Sequence, residues 1–198
     1  MKKKILFSVA FLFVLAVQVQ AQEDKQFLIN YFQQTNDNLI QNVKDLSENQ
    51  MTFKASPESW SISQCIEHII LTEKALFEEA KKILEKPAAP EKMTEVKGTD
   101  EEIMEGITDR SSKFQAPEFL HPKGVYDNAD EAIKDFTKQR QHVMEYLKEV
   151  PEEDLRNHIS QSPSQEYIDA YQFMIYIAGH SGRHTDQIEE VKAAPDFP

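Results

Sequence analysis

Four long stretches of this chain repeat apolar residues every three or four positions, and nowhere do apolar and polar residues alternate convincingly. Such spacing belongs to helices with one buried face, so the expected class is all-α. The first helix is expected from about Lys25 to Leu46, with Leu28, Tyr31, Phe32, Leu39, Val43 and Leu46 on its stripe. After the Ser-Pro-Glu-Ser break a second opens at Ser61, where Ser61 and Gln64 have the spacing of a capping box, and it runs to Pro87. A third starts near Asn128 and ends at Pro151, carrying Ala132, Ile133, Phe136, Val143, Tyr146 and Leu147. The fourth begins between Gln165 and Ala170 and reaches about Lys192. From Pro87 to Tyr126 the periodicity is poor and there are four prolines, at 87, 90, 117 and 122, so a long crossover is expected, with one helical turn near Asp100 to Ile107.

The first twenty-one residues stand apart from this pattern. Met1-Lys2-Lys3-Lys4 is basic, Ile5 to Val17 is an almost unbroken apolar run, and Val19-Gln20-Ala21 offers a cleavage site. This reads as a secretory signal peptide cut after Ala21, with a run too short to span a bilayer. Residues 22–198 then form one domain, secreted or periplasmic, with no membrane span. Cys65 is the one cysteine, so no internal disulfide can form even in an oxidising compartment.

Composition removes several function classes. Five glycines, and no G-x-G-x-x-G or G-x-x-x-x-G-K, leave no phosphate-cradling loop. A formal charge of -12 argues against nucleic acid, which needs a basic surface. Removing the leader's three lysines makes the remainder more acidic still. A small-molecule ligand or substrate is the expected partner, with room left for a homodimer.

The residues with chemical promise are histidines. His180 and His184 lie four apart on the fourth helix, so their rings project from adjacent turns of one face. Steps of three and four from them reach Ile177, Phe173, Ile188 and Val191, which puts both on the buried stripe. Buried imidazoles need partners for their ring nitrogens. His68 flanks the stripe of the second helix and could supply a third donor. Spacing alone leaves two readings open: one metal held by three histidines, or three histidines that hydrogen-bond.

Trp60-Ser61-Ile62-Ser63-Gln64-Cys65-Ile66-Glu67-His68-Ile69 and, much later, His180-Ser181-Gly182-Arg183-His184-Thr185-Asp186-Gln187-Ile188 together resemble the DinB superfamily. The first matches that family's tryptophan-led helix with a histidine eight residues on, the second its H-x-x-R-H-x-x-Q-I signature. The likeness covers about Phe27 to Val191. It implies an up-up-down-down four-helix bundle binding one divalent metal through His68, His180 and His184, with water or substrate completing the coordination. Imidazole suits zinc, nickel, copper and iron, of which zinc and nickel lead. Family members include thiol-dependent transferases and isomerases, and many have been described as metal-dependent hydrolases. Those thiol enzymes work in the cytosol, so an export signal argues against a thiol cosubstrate here. Asn157 to Gln165 departs from the family pattern.

Further candidates have structural readings beside the functional ones. Cys65 could reach the metal or serve as a small buried hydrophobe. Gln187 could orient His184 or a water, or sit half-exposed. Arg140 interrupts an apolar stripe and either meets a substrate carboxylate, snorkels to the bundle end or pairs with an acid. Arg183 is expected to point away from the histidine face into an ion pair. Glu67 should face elsewhere, and Glu73 and Asp186 are candidate general bases. Trp60 is expected to anchor the entry to the second helix, and His121, His142 and His158 to face solvent. No catalytic residue is assigned.

Overall fold

A computed structural model describes residues 24–112 and 114–198. The expected signal peptide lies outside the described residues. A first helix covers 24–43 (α1). It is followed by α2 (Glu48–Thr52), α3 (Ile62–Glu85), α4 (Asp100–Thr108), α5 (Ala129–Glu149), α6 (Glu152–Asn157), β1 (Ile159–Gln161), β2 (Tyr167–Asp169) and α7 (Ala170–Lys192). Among the described residues, no helix is long and apolar enough to cross a membrane.

The helix starts follow local chemistry. Ser61 accepts the Gln64 N–H while the Gln64 side chain accepts the Ser61 N–H, the reciprocal cap expected there. Asn128 caps α5 through the Glu131 N–H, and Asp169 caps α7 through the Gln172 N–H at 2.7 Å. Besides α6, a short helix and a hairpin lie outside the sequence pattern. Ser47 and Gln50 form a capping box that starts the one-turn α2, after Asp45 leaves α1 in the left-handed region at φ 65. The segment that departs from the family pattern is an antiparallel hairpin, Ile159 opposite Asp169 and Gln161 opposite Tyr167. At three residues a strand, it is too short for alternation to show.

Four long helices form the bundle. At one end Leu28 and Phe32 of α1 meet Phe77, Ala80 and Ile83 of α3, Val143 and Leu147 of α5, and Tyr171, Phe173 and Ile177 of α7. At the other, Leu39 and Val43 meet Ile62, Ile66 and Ile69, then Ala132 and Phe136, then Ile188 and Val191. Helices α1 and α7 therefore run one way and α3 and α5 the other. The all-α bundle with a long crossover stands, but the chain order is up, down, down, up rather than up-up-down-down. The stretch between α3 and α5 is the one that carries the chain back along the bundle, and α4 rides on it against α7. Gly179 makes that close approach feasible, because a Cβ there would collide with the Ile107 side chain.

A charged layer separates the two apolar clusters. The Arg140 guanidinium lies between the Phe32 and Phe136 rings, 4.9 and 5.1 Å from their centroids, one ring from each cluster. It pairs with Glu73 at 2.7 Å, both side chains 1% exposed, and donates to the Phe32 carbonyl, Thr35 Oγ1 and Ser181 Oγ. Arg140 therefore pairs with an acid; it neither snorkels nor faces a substrate cleft.

Candidate metal centre

Three turns of helix bring the histidines together. His68 stands on α3, two turns from its cap, while His180 and His184 stand on successive turns of the antiparallel α7. Ring centroids lie 5.2 Å apart for His68 and His180, and 4.6 Å apart for each of the other two pairs. One nitrogen from each ring lies within 4.8 Å of the others. A metal bound at about 2.0 to 2.1 Å spaces tetrahedral nitrogen ligands about 3.4 Å apart, so a small inward movement closes the set. Among the described residues this is the one His, Cys, Asp or Glu cluster with such geometry. Three neutral nitrogen donors suit a divalent transition ion and leave coordination positions open.

The surroundings fix which nitrogens face inward. The Leu120 carbonyl accepts from His68 Nδ1 at 2.9 Å, and the Gln187 Oε1 accepts from His184 Nδ1 at 2.8 Å. Both acceptors lack a proton to give, so each Nδ1 carries the hydrogen and each Nε2 is left as a donor pair. Thr72 Oγ1, one turn beyond His68, is 3.4 Å from the same ring. Trp60 closes one side, its ring 4.8 Å from His68 and 5.9 Å from His184. The tryptophan thus does more than anchor the helix entry.

Burial holds the cluster neutral. His68 is 3% and His184 9% exposed, while His180 is half-buried. Burial, then the charge of His68, pushes His184 down to about 3 against the opposing pull of Gln187. His180 lies well below its ordinary value, from burial first and then His184 and His68. Burial lowers His68 also, against its bond to Leu120. Neutral imidazoles are the form that binds metal.

Residues 31–188 match the pattern of the DinB superfamily. The chain belongs to the DinB superfamily. It is 26% identical over 150 residues to the uncharacterized protein YuaE of Bacillus subtilis (strain 168), covering 76% of this chain and 88% of that relative. Its fold is similar to that of YfiT from Bacillus subtilis, described as a probable metal-dependent hydrolase with an unusual four-helix bundle topology. The TM-score there is 0.60, with 14% identity over 86% of this chain and 87% of that one.

Other candidate residues of this DinB member fall outside the cluster. Cys65 is fully buried with Ile62, Ile66 and Ile69, and burial pushes its thiol up to about 12, which suits a small hydrophobe. Glu67 turns from the rings and accepts the Lys123, Gly124 and Val125 N–H groups at 2.8, 2.6 and 3.2 Å. Gly124 allows that wrap because its φ is +77. Glu73 is occupied by Arg140, and Asp186 is exposed on a groove with Tyr31 and Gly182. In place of the expected ion pair, Arg183 donates to the Ile107, Asp109 and Ser112 carbonyls and ties the end of α4 and the segment after it to α7. Two of those carbonyls, from Asp109 and Ser112, belong to a loop that no periodicity reveals.

Two of the remaining histidines keep to the surface and one does not. His121 and His142 are exposed. His158 is buried, with Nδ1 2.7 Å from the Asp154 carbonyl and Nε2 3.0 Å from the Lys86 carbonyl, stitching α6 to the end of α3. The short α6, invisible to periodicity, is what covers it.

Proposed function

We propose that this DinB member is an exported metalloprotein in which His68, His180 and His184 hold one divalent ion, zinc or nickel leading, and that it hydrolyses or transfers a group on a small substrate. The observation that carries this is the convergence of three neutral imidazoles, two of them, His68 and His184, oriented by hydrogen bonds. An ion there would supply a Lewis acid and acidify a bound water. The chain's own part is to fix the His68 and His184 tautomers through Leu120 and Gln187, and to cover one side with Trp60. Export is supported by the basic start and apolar run of residues 1–21.

A second reading, a metal- or ligand-binding bundle without catalysis, is favoured by one observation. No carboxylate joins the three histidines among the described residues, since Glu67 and Glu73 are both committed elsewhere. Elemental analysis of purified protein tests the centre: about one equivalent of metal is expected, lost in His68→Ala, and full occupancy in that variant refutes the triad. Hydrolase and transferase screens on the loaded protein then separate the two readings. Silence in every screen, with a melting temperature lowered by chelator, supports the binding protein.

A further inference from the structure

Exposed apolar side chains gather on the segment that touches the histidines. Of six large hydrophobic residues exposed among the described residues, Phe114 at 78%, Phe119 at 75% and Val125 at 60% all lie on the crossover before α5. Large rings left in water on an acidic, otherwise polar surface call for an explanation. Their position supplies one. Phe119 precedes Leu120, whose carbonyl is hydrogen-bonded to His68. The Phe114 ring lies 5.6 Å from the guanidinium carbon of Arg183, the residue before His184. Both rings are thus one residue, in sequence or in contact, from a histidine of the cluster.

The described residues on either side of position 113 are tied down at several points. Glu67 binds three successive N–H groups at its far end, His121 Nε2 reaches the Ala116 carbonyl, and Arg183 holds the Ser112 carbonyl at its start. Pro117 and Pro122 stiffen what lies between. A fixed rim of this kind keeps its apolar groups displayed whether or not a ligand is present, which lowers the ordering cost of binding.

Charge selects the other half of the ligand. The cluster consists of neutral imidazoles with no carboxylate among its donors, so a bound divalent ion would keep its full charge. Arg183, whose charge acts on His180 and His184, adds a cation beside it that donates to main-chain carbonyls. An electron-rich or anionic head group is the complement of that centre, within a chain of formal charge -12.

Resting on the metal reading above, we propose that this site takes a small molecule with an electron-rich head and an apolar body of aryl size. The head goes to the histidine cluster and the body lies against Trp60, Phe114 and Phe119. Phe114 and Phe119 are then specificity-determining residues.

Trp60 is the chain's one tryptophan, so its fluorescence reports on this site. The zinc-loaded full chain is titrated with acetohydroxamate and with benzohydroxamate, which share a metal-seeking head and differ in a methyl against a phenyl, and calorimetry repeats both titrations. Benzohydroxamate is expected to bind about tenfold tighter. The double substitution Phe114→Ser and Phe119→Ser, at exposed positions, is expected to bring the ratio near one through loss of benzohydroxamate affinity. Equal affinities in the native chain, an aryl preference that survives the double substitution, or zinc retained with neither hydroxamate bound overturns the proposal while the metal reading stands. Zinc absent by elemental analysis after loading overturns the metal reading, and the proposal with it.

Discussion

Replacing Arg140 with methionine tests the charged layer at the centre of the bundle. The substitution keeps an unbranched apolar chain between Phe32 and Phe136 but removes the 2.7 Å ion pair with Glu73 and the bonds to the Phe32 carbonyl, Thr35 and Ser181. Glu73, 1% exposed, is left without its cation. Breaking one side of a buried pair costs about 3 to 5 kcal/mol, against a total stability of roughly 5 to 15 for a domain. Proton uptake limits the loss. Burial already raises the Glu73 carboxyl, with Arg140 pulling it down, so in Arg140→Met it rises further and the folded state binds a proton that the unfolded state releases. The loss relative to native protein therefore grows with pH above the unfolded carboxyl range, near 4.3. Urea denaturation at pH 5 and pH 7.5 measures this, with the larger difference expected at pH 7.5. Adding Glu73→Leu is expected to restore stability to within about 2 kcal/mol of native, since apolar pairs often replace buried ion pairs without loss. A loss below about 1 kcal/mol for Arg140→Met, or a double variant no better than the single one, refutes a paired layer that stabilises the fold only when complete.

Three further outcomes follow from the site and its packing. Metal-free protein should lose stability as pH falls below about 6.5, because the unfolded chain protonates histidines that the folded chain keeps neutral; with all three lowered the slope approaches about 4 kcal/mol per pH unit. Denaturation at pH 7 and 5.5 checks it, and a slope that His184→Gln leaves unchanged contradicts it. Gln187→Ala should weaken metal binding about 10- to 100-fold, measured by competition with a chromogenic chelator, because His184 loses the acceptor that sets its tautomer; equal affinity removes Gln187 from the site. Gly179→Ala should cost about 1 to 3 kcal/mol in urea denaturation by forcing α4 off α7, with Ile107→Ala recovering part of it, and a neutral result would mean that the contact yields.

Legibility in this sequence follows the range of the interactions concerned. Helix spans, the Ser61 and Asn128 caps and the histidine faces are properties of neighbours three or four residues apart, and those were readable. The capping box that starts α2 was equally local, yet one turn is too short to show a period. The hairpin at 159–169 and the short α6 lack a period for the same reason, so the burial of His158 between the Lys86 and Asp154 carbonyls stayed hidden. Arg140 shows the limit clearly: its place on an apolar stripe was visible, but whether it met solvent, substrate or an acid depended on a partner on α3.

The sequence by itself determined an all-α chain with three histidines on buried helical faces and membership of a recognisable family, because periodicity, capping and motif spacing are written along one strand of chain. Only the tertiary structure decided that the helices run up, down, down, up, that one nitrogen from each of the three rings comes within 4.8 Å of the others, and that Leu120 and Gln187 set the tautomers of His68 and His184. It also decided that Trp60 stacks beside the cluster and that Phe114 lies against Arg183. Contacts of that kind join residues far apart in sequence, and their geometry exists only once the apolar faces have closed on one another.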